Sequence, residues 1–102
     1  MNSLRIIGGR YRRRILRFPD SEGLRPTPDR VRETLFNWLG QELDGERCLD
    51  LFAGSGALGF EAASRGAAEV LLLEHDAPLV ASLNASRQRL GASALRIERS
   101  DA

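Results

Sequence analysis

The stretch Cys48-Leu49-Asp50-Leu51-Phe52-Ala53-Gly54-Ser55-Gly56-Ala57-Leu58-Gly59 decides the fold. Its first five residues form an apolar run broken by one acid, the pattern of a strand buried in a sheet. Ala53-Gly54-Ser55-Gly56 then reads as a tight turn. A helix is expected from about Ala57 to Arg65, ended by Gly66. Gly54 to Gly59 therefore spell G-x-G-x-x-G between a strand and a helix, a context that makes a weak pattern informative. Glycines there let the chain reverse sharply and let a ligand approach the backbone.

Downstream, Val70-Leu71-Leu72-Leu73 predicts a second buried strand, ending in Glu74-His75-Asp76. Pro78 opens another helix and Gly91 closes it. Leu95-Arg96-Ile97-Glu98 alternates as a third strand. The order β-α-β-α-β predicts a parallel, doubly wound sheet. Upstream, Thr27 is a candidate cap, with Pro28 at the first helical position and Asp29 in the first turn. Val31, Leu35, Trp38 and Leu39 fall on one apolar stripe, and Phe36 and Trp38 are expected in the core. Leu4 to Ile7 and Arg14 to Phe18, around Gly8-Gly9, predict a hairpin. Residues 19–23 read as a loop. The chain thus divides into a basic hairpin arm, 1–23, and an α/β unit, 24–102.

The 102 residues suffice for one small domain. Apolar residues make up 42% and charged residues 28%, ordinary globular values that argue against a disordered or coiled-coil chain. No apolar run is long enough to span a membrane, and residues 1–10 lack the pattern of a secretory signal. One cysteine, Cys48, excludes an internal disulfide and, with one histidine, makes a metal site an unpromising expectation. A reducing cytoplasm is the expected compartment. The net charge of +1 hides an asymmetry. Residues 1–32 carry nine Arg and three acids, whereas residues 33–102 carry six Arg and eleven acids. A basic arm on an acidic body points to a polyanionic partner.

Glu74 stands at the end of the second strand, where a carboxylate can accept hydrogen bonds from ribose hydroxyls. An adenosine-type ligand is implied. A dinucleotide would set its pyrophosphate on the glycine turn. S-adenosylmethionine would set a zwitterionic amino acid there. Asp50, four residues before Gly54, repels a pyrophosphate and favours an ammonium, and so favours S-adenosylmethionine. A plainer reading makes Asp50 a partner of the helix N-terminus.

Asp50 to Gly59 resembles the first motif of Rossmann-type methyltransferases. Leu24-Arg25-Pro26-Thr27-Pro28-Asp29-Arg30-Val31-Arg32-Glu33-Thr34-Leu35-Phe36-Asn37-Trp38-Leu39 and Arg5-Ile6-Ile7-Gly8-Gly9-Arg10 narrow the likeness. Together they resemble the RsmD family, from about Arg5 to Ala102. That resemblance implies a Rossmann-like S-adenosylmethionine-dependent methyltransferase fold, here its first three parallel strands behind an N-terminal β-hairpin. It implies methylation of the exocyclic N2 of one guanine in 16S ribosomal RNA, within the small subunit or an assembly intermediate. Arg25 and Thr27 would close over the methionine end of the cofactor. Asp50, Phe52, Ala53, Gly54, Ser55 and Gly56 would line its amino-acid and ribose portions. Glu74 would take the ribose hydroxyls, His75 would flank the adenine, and Asp101 and Ala102 would face the adenine edge. Arg5, Arg10, Arg12, Arg13 and Arg14 would contact RNA, with Tyr11 and Phe18 as stacking candidates.

The family also carries an Asn/Asp-Pro-Pro-Phe/Tyr motif that would orient the guanine amino group. The prolines here stand only at 19, 26, 28 and 78, so that motif is absent and no catalytic residue is assigned. The chain is expected to be the N-terminal part of a longer enzyme, inactive alone. Two other readings stay open: a non-catalytic cofactor- or RNA-binding module, and a nicotinamide-dependent oxidoreductase. Cys48 reads as inert packing, His75 as a cofactor-edge or surface residue rather than a base, and the arm alternatively as a solvated, edge-protecting hairpin.

Overall fold

The structure is a computed structural model and describes residues 2–19, 29–40, 43–50 and 53–100. The chain opens with β1 (Asn2–Arg5) and β2 (Ile15–Phe18), paired antiparallel with Asn2 opposite Phe18 and Arg5 opposite Ile15. Then come α1 (Asp29–Leu39), β3 (Arg47–Asp50), α2 (Ala57–Ser64), β4 (Glu69–Glu74), α3 (Ala77–Leu90) and β5 (Leu95–Arg99). The three later strands form one parallel sheet in the order β3-β4-β5.

Each βα junction follows from local chemistry. Gly56, at φ +86°, starts α2, and Gly91, at φ +64°, caps α3 in the left-handed region where a side chain is costly. A Cβ on Gly59 would stand 2.1 Å from Leu72 Cδ2, so this glycine lets α2 press onto β4. A Cβ on Gly56 would stand 2.6 Å from Leu83 Cδ2, which puts α2 beside α3. Both helices cover the sheet face that carries the buried Val70, Leu72 and Leu95. The opposite face holds Leu71 and Leu73, half-buried, and Leu49, exposed. The element order predicts helices on both faces. Among the described residues they lie on one, because consecutive crossovers step the same way across β3, β4 and β5.

Helix α1 corrects a second expectation. Of its apolar stripe, Val31, Trp38 and Leu39 are exposed, Trp38 at 81%. The buried residues are Phe36, as expected, and Arg32. The physical reason is an ion cluster. Arg32 has no exposure and lies 3.3 Å from Glu61 of α2 while also pairing with Asp29. A guanidinium taken out of water needs such partners, and they draw Arg32 of α1 inward. Periodicity identifies a stripe but not what it faces.

Candidate functional site

The glycine turn and the end of β4 meet through one side chain. Glu74 is 6% exposed. Its Oε1 accepts the Gly54 amide at 2.9 Å, and its Oε2 accepts the Asp76 amide at 2.9 Å. The turn closes on itself where the Gly56 amide donates to the Ala53 carbonyl at 2.8 Å. Ala53 also donates to the Leu73 carbonyl, which ties the turn to β4. Ala53, Ser55 and Gly56 are buried and Gly54 is half-buried. The half-buried Asp50 ends β3 just before this turn. His75 is exposed, with Nδ1 3.4 Å from Glu74 Oε2. Its carbonyl accepts Arg99 Nε at 3.1 Å.

These contacts bring Asp50, Ala53, Gly54, Ser55, Gly56, Glu74 and His75 to the C-terminal end of the sheet. Arg25, Thr27, Phe52, Asp101 and Ala102 lie outside the described residues. The residues present fit a nucleoside. A carboxylate has roughly four lone-pair sites, so Glu74 keeps acceptor capacity for two ribose hydroxyls after serving two amides. No acid stands in the first turn of α2, where the helix amides face the turn. Among the described residues no group of three or more His, Cys, Asp or Glu is arranged to hold a metal. Burial pushes the Cys48 thiol up, with the Glu46 carboxylate adding to it, which keeps the sulfur an unreactive thiol.

The basic arm is the expected antiparallel hairpin, its strands shifted by one or two residues from the predicted runs. The strands are short, so Arg10, Arg12, Arg13 and Arg14 fall in the connecting turn, all exposed. Arg5, also exposed, ends β1. Tyr11 and Phe18 are not free to stack on bases: they are 8% and 1% exposed, because they form part of the apolar underside that seats the arm. The turn is fastened to the C-terminal end of α2. Glu61 accepts the Ile7 and Gly8 amides at 2.9 and 3.0 Å. Ser64 accepts the Tyr11 amide at 2.9 Å and donates to the Gly8 carbonyl. The Arg10 amide donates to the Ser64 carbonyl at 2.6 Å. Arg65 Nε reaches Glu61 at 3.0 Å, with its guanidinium 5.0 Å over the Phe36 ring. Sequence reasoning missed this anchor. Its one signal was a lone Glu among the small and apolar residues of Phe60-Glu61-Ala62-Ala63, where a carboxylate must be buried with partners.

The arginine turn and the glycine turn therefore sit at opposite ends of α2. Eight residues at ~1.5 Å rise separate them by ~12 Å.

Residues 4–102 match the family model described as conserved hypothetical protein 95. The chain is 54% identical over 99 residues to the Escherichia coli K12 protein named ribosomal RNA small subunit methyltransferase D, covering 97% of this chain and 50% of that one. It is 52% identical over 95 residues to the Haemophilus influenzae protein of the same name, covering 93% and 49%. Its fold matches that of the putative methyltransferase yhhF from Escherichia coli with a TM-score of 0.90 at 51% identity, over 99% of this chain and 55% of that one. The C-terminal domain of precorrin-6Y C5,15-methyltransferase from Rhodobacter capsulatus, 22% identical with a TM-score of 0.68 over 76% of this chain and 42% of that one, shares the fold alone. The chain spans about half the length of the relatives it matches. On the match across residues 4–102 and this identity, the chain belongs to the conserved hypothetical protein 95 family, the RsmD family.

Proposed function

We propose that residues 1–102 form the cofactor-binding and RNA-anchoring half of an enzyme that methylates the exocyclic N2 of a guanine in 16S ribosomal RNA. The observation that carries this reading is the Glu74–Gly54 bond, which joins a strand-end carboxylate to a glycine turn in one nucleoside cradle. The names of relatives at 54% and 52% identity support the substrate class. When bound, S-adenosylmethionine supplies an electrophilic methyl group on sulfur. Glu74 would hold the ribose hydroxyls. Asp50 and the Ala53–Gly56 turn would hold the amino-acid end, and His75 would flank the adenine. Arg25, Thr27, Phe52, Asp101 and Ala102 complete the proposed set. Arg5, Arg10, Arg12, Arg13 and Arg14 would meet RNA phosphates. The setting proposed is cytoplasmic, on the small ribosomal subunit or its precursor, with no metal in the reaction.

No group within residues 1–102 is assigned to orient the guanine amine, so these residues alone bind cofactor without transferring methyl. Calorimetric titration tests this reading. S-adenosylhomocysteine should bind and NAD should not, and Glu74→Ala should weaken the former by tenfold or more. Binding of NAD in preference to S-adenosylhomocysteine would favour the oxidoreductase reading.

A further inference from the structure

A cleft of about 550 Å³ opens beside the arginine turn, within the range of small-ligand sites. The hairpin supplies Ile7, Gly8, Gly9 and Arg12 to one wall, and α1 supplies Glu33 and Asn37 to the other. Arg65 lines it from α2's C-terminal end. We propose that this cleft is a nucleotide subsite for single-stranded RNA, selective for a base with adjacent N–H donors, guanine foremost. The proposal rests on reading the chain as an RNA-binding half-enzyme, and it concerns a nucleotide other than the methyl acceptor.

Three features point to such a ligand. First, the walls are fixed before anything binds. Glu61 and Ser64 hold the Gly8 to Tyr11 backbone, and a Cβ on Gly8 would stand 3.0 Å from Arg65 Nη2, so the guanidinium packs flat against the glycine. Held between Gly8 and the Phe36 ring, the buried guanidinium stiffens the floor of the cleft and gives it positive charge. Second, opposite charges line the cleft without closing it. Arg12 and Glu33 are both exposed, and neither forms an ion pair among the described residues. A phosphate needs the first and a base edge rich in N–H needs the second. Third, Glu33 and Asn37 stand four residues apart on α1, hence on one face, one turn apart. A carboxylate accepts both the N1–H and the N2–H of guanine. Adenine offers one amino group beside a bare ring nitrogen, which a carboxylate repels. The cleft and the glycine turn lie at opposite ends of α2, so the bound nucleotide would anchor the strand while another reaches the cofactor.

The test is titration of the chain with each of the four ribonucleoside monophosphates under saturating S-adenosylhomocysteine. GMP is expected to bind about tenfold more tightly than AMP. Glu33→Gln should erase that preference with S-adenosylhomocysteine affinity unchanged. Arg12→Ala should weaken all four by a similar factor and keep their order. Equal affinities in the unmodified chain, or a GMP preference that survives Glu33→Gln, would overturn the proposal. A flat nucleotide profile with S-adenosylhomocysteine bound would count against the cleft alone, whereas failure to bind S-adenosylhomocysteine would count against the cofactor reading.

Discussion

Glu61 and Arg32 meet at 3.3 Å with no solvent exposure on either side chain. Arg65, also buried, approaches the same carboxylate from the other oxygen. One carboxylate thus joins α1, α2 and the basic arm, since it also receives the Ile7 and Gly8 amides.

Removing that carboxylate should be severe. Glu61→Ala leaves two guanidinium groups buried beside a cavity and two amides unpaired, and breaking a buried pair costs about 3–5 kcal/mol. Small domains have only about 5–15 kcal/mol to lose. Urea denaturation should show a much lower midpoint or an unfolded chain at zero denaturant. Arg32 already leaves its Nε without a hydrogen-bond partner among the described residues. Arg32→Met, which removes that orphan while Arg65 stays on Glu61, should therefore be milder than Glu61→Ala.

Two glycines with nearly equal φ should respond unequally to alanine. Gly9 has φ +79° and Gly45 has φ +80°. A Cβ on Gly45 meets nothing within 4 Å, so Gly45→Ala should cost only the left-handed penalty, about 1–2 kcal/mol. A Cβ on Gly9 would lie 2.0 Å from the Ser64 carbonyl oxygen, which is backbone and accepts the Arg10 amide. Gly9→Ala should therefore lower the melting temperature further and also release the arm. Limited proteolysis near Arg10 to Arg14 would detect the release. Equal stability losses would mean that the turn can shift away from α2.

The apolar residues that α1 turns outward should make the 102-residue chain self-associate. Trp38 is 81% exposed, Leu39 57% and Val31 51%, and Leu49 is 60% exposed on β3, which pairs only with β4 among the described residues. Several exposed large apolar side chains together with an open strand edge invite pairing with another copy. Sedimentation should show concentration-dependent oligomers, and Trp38→Glu with Leu49→Lys should shift them toward monomer without loss of helix signal. Strict monomer behaviour at high concentration would contradict this expectation.

Charge reversal of Arg12, Arg13 and Arg14 should flatten the salt dependence of RNA binding. Each phosphate that no longer meets a cation lowers the slope of log affinity against log salt by roughly 0.7–0.9. Three reversed charges should thus change the slope by about two units or more. An unchanged slope would place the RNA elsewhere on the protein. The stability of these variants should be close to that of the unmodified chain, because the three side chains are exposed.

The parts of the fold that local rules govern were legible in the sequence. The glycine turn, the strand ending in Glu74 and the Gly91 cap all follow from signals within a few residues, and α3 and β5 differ from expectation by a residue. That Glu74 and the glycine turn lie at the same end of the sheet follows from parallel strands, but the bond from the Gly54 amide to Glu74 was not foreseen. What was not legible depends on pairs far apart in the chain. Arg32 and Glu61 are 29 residues apart, and no periodicity in α1 announces that an arginine will be buried and a tryptophan exposed. The two hairpin strands were legible as Leu4 to Ile7 and Arg14 to Phe18, close to the observed β1 and β2. The turn between them was not: Arg13 sits at φ +71° with its amide on the Ile6 carbonyl, and the Tyr11 amide is fastened to Ser64 of α2.

The anchor also sets an order of events during synthesis. The Ile7 amide is emitted 54 residues before the Glu61 carboxylate that binds it. At roughly 5–20 residues per second, the arm waits some ~3–11 s on the ribosome before its partner exists. A two-stranded hairpin alone is only marginally stable in water. The hairpin is thus translated before α2 yet settles after it, and its arginines take their final places only once α2 has formed.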